Sequence, residues 1–301
     1  MTAQPTDPLA VGTHTVDIDG VGQRYHVHGS GPVVVAHSGG PGIFWEYLRM
    51  PELERHLTVV YPEPIGTEGS GRLPSHPHGY TRARYSRFLG ALIDHLGVPE
   101  VHLLGHSQGG FVAQYHALHH PEKIAGVILY ESAPVTGPEH VEEATRLAGQ
   151  FAERHADHPE LPEILGAFQT IPTISDDAQQ TAVARSLLPL YFADYWGRKE
   201  EFAPLRTSVI AAYISGLDEN LVPDAIDDRA DLGSLAVPAL VIVGRHDFIC
   251  GVRWAQELHK LIPGSELLIL EDSGHFGHLE EPGHFSQAVT RFVTATASGT
   301  A

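Results

Sequence analysis

Ser107 carries the residue type and the local spacing of a catalytic nucleophile. It lies in a Gly-x-Ser-x-Gly motif at 105–109, after an apolar run and before a helical pattern at 111–119. A serine at such a strand-to-helix turn sits on strained backbone with its hydroxyl exposed, and the helix N-terminus favours developing negative charge. The pattern predicts that Ser107 is a nucleophile. The alternative is a glycine-rich turn that holds an ordinary serine.

A serine nucleophile needs a base and an acid, which this type of turn places later in the chain, the acid before the histidine. Asp247 and His275 each follow an apolar run in that order. Because open α/β sheets bind ligands at the carboxyl ends of their strands, we expect both side chains to meet Ser107 there. His275 would accept the serine proton and return it to the leaving group, and Asp247 would orient the imidazole. Glu271 and Asp272 are nearer to His275 in sequence, but we expect them to cap or solvate the turn.

The segment HSGGPG at 37–42 offers backbone donors for an oxyanion hole. Consecutive glycines let N–H groups approach a substrate oxygen without a Cβ in the way. We assign the hole to the N–H of Gln108, the residue after the nucleophile, and to that of Gly39, with Gly40 as the alternative. A plain Gly-Pro turn is the competing interpretation.

Histidine is abundant, with 21 residues, yet catalysis is assigned to His275 alone. His-x-x-His at 275–278 and His-x-His at 26–28 lack the carboxylate spacing that supports a metal site. We therefore predict no metal and no cofactor. The lone cysteine, Cys250, excludes an internal disulfide and is expected to be a packing residue.

Eight short β-forming runs predict the sheet that must position these groups. Several are almost continuously apolar, which is typical of strands covered on both faces. Helical patterns at 85–96, 111–119 and 252–261 separate some of them, which predicts a mostly parallel, doubly wound α/β sheet. The first two runs are joined by Asp-Gly and predict an antiparallel hairpin at the sheet edge. The runs are 13–18, 24–28, 32–37, 57–61, 101–105, 126–130, 239–244 and 266–270.

A long stretch of helical patterns, among them 140–155 and 207–214, interrupts this alternation. We predict an α/β core at 1–135 and 231–301 with an inserted helical cap, or lid, at 136–230. The insert contains 17 acidic and 7 basic residues, so −10 of the formal charge of −18 belongs to it. Its carboxylates either lie on outer helix faces or turn inward to receive a cationic group.

Composition limits the partners and the compartment. The 301-residue chain has a formal charge of −18, and such an acidic chain repels phosphate backbones, so nucleic-acid binding is not expected. No apolar run approaches 18 residues, and the first twenty residues lack the apolar core of a signal peptide, so we expect neither a membrane span nor secretion. We expect a cytoplasmic monomer or homodimer that acts on a small molecule.

Four motifs, taken in order, resemble those of the α/β-hydrolase superfamily over nearly the whole chain. They are HSGGPG at 37–42, GHSQGG at 105–110, GRHD at 244–247 and SGHFGHLEEP at 273–282. The resemblance implies the α/β-hydrolase fold, with the insert as the cap that follows its sixth strand. HSGGPG is similar to the motif of prolyl iminopeptidases, which release an N-terminal proline. It also resembles that of carbon–carbon bond hydrolases that act on ring-cleavage products.

The leading hypothesis is a cofactor-independent serine hydrolase that cleaves an ester, lactone or amide through an acyl-enzyme. A carbon–carbon bond hydrolase and a non-catalytic ligand receptor on the same fold stay open. An aminopeptidase would need carboxylates for the substrate amine, for which the candidates are Glu46, Asp194, Asp218 and Glu219. The candidate substrate-binding residues are aromatic, from the core and the cap: Phe44, Trp45, Tyr191, Tyr195, Trp196 and Phe276.

Overall fold

The computed structural model describes residues 7–297. Its sheet has eight strands, as the sequence predicts. The strands are β1 Gly12–Ile18, β2 Val21–Gly29, β3 Val33–His37, β4 Thr58–Pro62, β5 Val101–His106, β6 Ile124–Tyr130, β7 Ala239–Gly244 and β8 Glu266–Leu270. Their order in the sheet is β1-β2-β4-β3-β5-β6-β7-β8. The pairs β1–β2 and β2–β4 are antiparallel, and the other pairs are parallel. The antiparallel pair β1–β2 is the predicted edge hairpin.

Helices cover both faces of this sheet. Outside the insert they are α1 Pro51–Glu54, α2 Arg82–Leu96, α3 Gln108–His119, α8 Val252–Leu261, α9 Gly277–Glu280 and α10 Pro282–Ala297. Within the insert they are α4 Pro138–Arg154, α5 Leu161–Thr170, α6 Asp177–Leu187 and α7 Lys199–Ser208. Short 3₁₀ turns lie at Trp45–Leu48, Pro121–Lys123, Ile171–Thr173, Leu188–Tyr191 and Leu232–Ser234. None of the helices within residues 7–297 is long and apolar enough to cross a bilayer.

Neighbouring residues of the central strands enter two different cores. Leu103 packs in the cluster beneath α2, α3 and α8, whereas Leu104 packs in the cluster beneath α10 and the cap. Val241 and Ile242 of β7 divide in the same way. Because side chains alternate across a strand, a run that is apolar at every position must be covered on both faces. This is the doubly wound arrangement that the sequence predicts.

The predicted helix at 207–214 is wrong. Helix α7 ends at Ser208, and the residues that follow are extended and lie beside the HSGGPG loop. The N–H of Ala212 donates to the Gly42 carbonyl at 2.9 Å, and the N–H of Phe44 donates to the Ile210 carbonyl at 3.2 Å. These backbone bonds to a distant segment outweigh a local helical pattern.

Candidate active site

Ser107 sits between β5 and α3 on strained backbone. Its φ of 55° and ψ of −121° are rare for a residue with a side chain. The turn is closed tightly, because a Cβ at Gly105 would lie 2.2 Å from the Gly109 carbonyl oxygen, and one at Gly109 would lie 2.3 Å from that of His37. The Ser107 N–H donates to the Tyr130 carbonyl of the next strand at 2.9 Å. The glycines of the motif are therefore required by the packing, as expected for a strained serine turn.

His275 and Asp247 form a buried pair. The imidazole Nδ1 lies 2.9 Å from Asp247 Oδ2 and must donate, since a carboxylate only accepts. Asp247 Oδ1 accepts the N–H groups of Ile249 at 2.8 Å and Cys250 at 3.1 Å. Burial opposes a charge on Asp247, but the charge and hydrogen bond of His275 and further hydrogen bonds hold the pKa of this carboxyl below its usual value. With Nδ1 protonated, Nε2 of His275 is the nitrogen left to act as a base.

The loop that carries His275 is fastened to the cap. The His275 N–H donates to the Tyr191 carbonyl at 2.6 Å. The buried carboxyl of Glu280 accepts the N–H of Gly274 at 2.7 Å and, through its other oxygen, that of Ala193 at 2.8 Å. Burial raises the pKa of Glu280 to about 7. These bonds fix the position of the cap segment at 191–193 relative to the predicted base.

Ser107 and His275 both line a cavity of about 450 Å³ between the core and the cap. Of the predicted substrate-binding residues, Phe44, Tyr191 and Phe276 line it too. Two of the three catalytic candidates, Ser107 and His275, and three of the aromatic candidates thus line one space.

The other three aromatic candidates lie outside the lining of this cavity. Trp45 stacks on His26, with ring centroids 4.1 Å apart. Tyr195 is buried in the core beneath the cap, and Trp196 stacks on His158 at 3.7 Å. Each of the three packs elements together, so their assignment as lining residues is corrected.

Helix α6 supplies a wall that the sequence analysis did not identify. Val183, Ala184 and Leu187 of α6 line the cavity together with Leu205 and Val209. The apolar spacing of residues 183, 184 and 187 on one helix face is the signal that points to them.

The described residues that line the cavity include no permanently charged side chain. Among the residues between 7 and 297 that line it, none is Asp, Glu, Lys or Arg. The polar lining groups include Gln180, Tyr213 and Ser215. The acidic residues of the cap therefore do not turn into this space.

Gly39 is not a free oxyanion donor, which corrects the prediction. Its N–H donates to the phenolic oxygen of Tyr47 at 2.5 Å. A Cβ at Gly39 would lie 2.8 Å from Ser107 Cβ, so the loop passes directly beside the nucleophile. Within residues 7–297 the N–H groups of Gly40 and Gln108 have no hydrogen-bond partner. The N–H groups that remain free to form an oxyanion hole are therefore those of Gln108 and of Gly40, which was the alternative to Gly39.

Two buried side chains that the sequence analysis did not assign, Tyr47 and His106, connect the HSGGPG loop to the histidine loop. His106 Nε2 lies 2.9 Å from the His275 carbonyl and must donate to it. Burial lowers the pKa of His106 well below its usual value, so the ring is neutral and its Nδ1 accepts from Tyr47 Oη at 2.7 Å. The chain of bonds thus runs from the Gly39 N–H through Tyr47 and His106 to the backbone of His275. The signal available in sequence was the position of His106 directly before Ser107.

His278 makes a parallel connection. Its Nε2 donates to the Tyr47 carbonyl at 2.8 Å, and its Nδ1 accepts from the Tyr130 hydroxyl at 2.9 Å. Burial lowers the pKa of His278 to about 4, so this ring is neutral. His275 and His278 therefore bind different partners.

One group of three side chains within residues 7–297 has donor atoms close enough to hold a metal: Glu131, Asp247 and His275. Nδ1 of His275 already donates to Asp247 in this group. The absence of a metal stays a prediction.

Comparison with known proteins decides the family. A model of the α/β hydrolase fold matches residues 32–282. The chain belongs to this family. The expected superfamily, fold and hydrolase class are thereby confirmed.

Relatives within the α/β-hydrolase family differ in the reactions that their names state. The chain is 26% identical over 283 residues to a 2-hydroxymuconate semialdehyde hydrolase of Pseudomonas sp. (strain CF600), covering 92% of this chain and 93% of that one. It is 28% identical over 276 residues to a proline iminopeptidase of Saccharolobus solfataricus, covering 89% and 87%. A solved hydrolase of Pseudomonas aeruginosa PA01 is 26% identical with a TM-score of 0.70, covering 93% and 98%. Similarity at this level leaves the substrate open.

Proposed function

We propose that this protein is a cofactor-independent serine hydrolase that cleaves esters of small, uncharged, apolar carboxylic acids. The observation that carries the proposal is the common cavity: Ser107 and His275 line a space whose other walls are largely apolar and, among residues 7–297, include no Asp, Glu, Lys or Arg. A charged substrate group would lose its hydration there without an ionic partner, which costs several kcal/mol or more. An apolar acyl group gains by entering the same space.

The reaction proceeds through an acyl-enzyme. Nε2 of His275 takes the proton of Ser107 as its Oγ attacks the ester carbonyl carbon, and Asp247 stabilises the imidazolium through Nδ1–H. The tetrahedral intermediate collapses, the bond to the alcohol oxygen breaks, and His275 gives its proton to that oxygen. Water then attacks the acyl carbon with His275 as the base, and the acid leaves as the proton returns to Ser107. One ester and one water become one acid and one alcohol.

The N–H groups of Gly40 and Gln108 stabilise the oxyanion of this reaction. Gln108 begins α3, whose N-terminus also favours negative charge. Tyr47 and His106 hold the loop that carries Gly40 in register with the base.

A peptidase acting on N-terminal proline is less well supported, although one relative bears that name. A substrate ammonium group requires an acceptor, and the four acidic candidates lie outside the lining of the cavity. Asp194 caps the turn at Gly197, Asp218 caps the turn that ends at Val222, and Glu219 pairs with Arg84, while Glu46 is exposed.

Carbon–carbon bond hydrolysis is also less well supported. The names of the relatives, such as 2-hydroxymuconate semialdehyde hydrolase, specify substrates derived from carboxylic acids. A substrate carboxylate would call for Arg or Lys in the cavity, and no Arg or Lys of the described part of the chain lines it.

The test is turnover of p-nitrophenyl butyrate by the full chain and by Ser107→Ala. We expect the variant to lose at least about 10³-fold in kcat and to escape labelling by a fluorophosphonate. Ser234→Ala, an exposed serine far along the chain, serves as the matched control and should behave as the unmodified protein. Retained turnover and labelling in Ser107→Ala would exclude the mechanism. Release of proline from proline p-nitroanilide without ester cleavage would replace the ester proposal with the peptidase.

A further inference from the structure

Glu131 is a buried acid that the reaction above does not use. It follows the last residue of β6 with a φ of 49°, a left-handed conformation that costs free energy for a residue with a side chain. The Glu131 N–H donates to the Ile242 carbonyl at 2.9 Å, which holds this strained residue against β7. Its side chain has no solvent exposure.

The carboxyl of Glu131 points at the predicted acid and base. Its oxygens lie 2.9 and 3.0 Å from the Gly244 N–H, which they share. Potential ligand atoms of Glu131, Asp247 and His275 all lie within 4.8 Å of one another. Glu131 also interacts electrostatically with three other titratable groups, namely Tyr130, Cys250 and Glu280.

Two carboxyls this close in a buried site do not both ionise. The negative charge is better stabilised on Asp247 than on Glu131. Asp247 accepts Nδ1–H of His275 and two backbone N–H groups, whereas Glu131 accepts one shared N–H. Burial, followed by the charge of Asp247, raises the pKa of Glu131 well above its usual value. Glu131 is therefore the protonated partner and has an O–H to donate.

We propose that Glu131 is a positioning residue whose neutral carboxyl donates a hydrogen bond to Asp247, holding the Asp247 carboxylate in line with His275 Nδ1. The inference rests on the proposed function, since it assigns Glu131 a part in the same reaction. Glu131 directly follows β6, and its carboxyl lies against the end of β7, bound to the Gly244 N–H and close to Asp247 in the loop that follows.

The first experiment compares the pH profiles of kcat/KM for Glu131→Gln and the unmodified chain with p-nitrophenyl butyrate. Glutamine keeps an acceptor for Gly244 and a donor for Asp247 but is never charged. We expect activity within about threefold and an unchanged midpoint of the acidic limb. If Glu131 were ionised in the working enzyme, removing its charge so near His275 would lower that midpoint by about one unit or more. Such a shift would overturn the proposal.

The second experiment uses Glu131→Leu, which removes donor and acceptor together. We expect kcat to fall at least about tenfold with KM nearly unchanged, because Asp247 loses its support while the cavity is untouched. Circular dichroism and thermal unfolding check that Glu131→Leu folds. If Glu131→Leu does not fold, the pH profile of Glu131→Gln still decides the protonation state of Glu131. Equal kcat in Glu131→Leu and Glu131→Gln would contradict a positioning role.

Failure of this inference is separable from failure of the proposed function. If Ser107→Ala is inactive while both Glu131 variants match the unmodified chain in rate and pH profile, Glu131 has no positioning role and the serine mechanism stands. If Ser107→Ala is fully active, the mechanism itself fails.

Discussion

The phenolic hydroxyl of Tyr47 accepts the Gly39 N–H at 2.5 Å and donates its O–H to His106 Nδ1 at 2.7 Å. It thereby holds the HSGGPG loop beside Ser107 and joins it to the loop of His275. Removing the hydroxyl with Tyr47→Phe frees Gly39 and leaves His106 without its donor. We expect kcat for p-nitrophenyl butyrate to fall by about ten- to a hundredfold with a small change in KM, because the oxyanion donors lose their alignment.

Tyr61→Phe is the matched control for this experiment. Tyr61 is also buried, and its hydroxyl also accepts a backbone N–H, that of Met50 at 3.0 Å, but it does not line the cavity. Its loss should lower stability without lowering kcat in the folded protein. Equal kinetic losses in both variants would mean that Tyr47 acts only through stability.

The approach of the loop to the nucleophile predicts that Gly39 tolerates no side chain. A Cβ there would lie 2.8 Å from Ser107 Cβ and 3.0 Å from the Tyr47 hydroxyl. We expect Gly39→Ala to lose at least about a hundredfold in kcat/KM, since the nucleophile or the loop must shift. Gly149→Ala in α4 meets nothing within 4 Å and should keep full activity. Active Gly39→Ala enzyme with an unchanged kcat would contradict the loop geometry.

The sequence predicted the sheet well because strands depend on local patterns. All eight predicted runs match strands, and the bounds of β7 and β8 agree at every residue. The side chains of Asp247 and His275 could be paired because each follows a parallel strand and so reaches the same sheet edge.

The parts that failed depend on contacts between distant segments. Nothing near Gly39 indicates that Tyr47 takes its N–H, since that bond requires the 3₁₀ turn Trp45–Leu48 to fold back on the loop. The proximity of Glu131 to Asp247 likewise arises only when β6 and β7 pair. The sequence does not indicate whether an aromatic residue of the cap faces the cavity or packs against other elements. Trp196 packs, because its ring stacks on His158.

The wall formed by α6 predicts a limit on acyl length. Ala184 lines the cavity, so Ala184→Phe fills space that a longer acyl chain would occupy. In a series of p-nitrophenyl esters from acetate to octanoate, we expect kcat/KM to fall by about tenfold or more for the longest substrates and little for acetate. Ala182→Phe, on the exposed face of the same helix, is the matched control. A uniform loss over the whole series would show that α6 does not contact the acyl chain.

Several buried histidines predict how stability depends on pH. Burial lowers the pKa of His102 to about 4 from its ordinary 6.5, and its Nε2 lies 2.7 Å from the Thr296 hydroxyl. Between these two values the unfolded chain binds a proton that the folded chain does not. The contribution to stability is therefore complete above pH 6.5 and is lost as the pH falls towards 4. His37, His116 and His278, whose pKa values are also lowered to about 4, add losses of the same sign.

His102→Gln isolates one of these contributions. Glutamine can donate to Thr296 but does not titrate, so the fall in the free energy of unfolding between pH 6.5 and 4 should be smaller in the variant by about 2 kcal/mol. Urea unfolding followed by tryptophan fluorescence across this range measures the difference. His56→Gln, an exposed histidine, should leave the pH dependence unchanged. If the His102 variant loses as much stability on acidification as the unmodified chain, His102 is not a neutral buried group, and the acid sensitivity must come from the carboxylates instead.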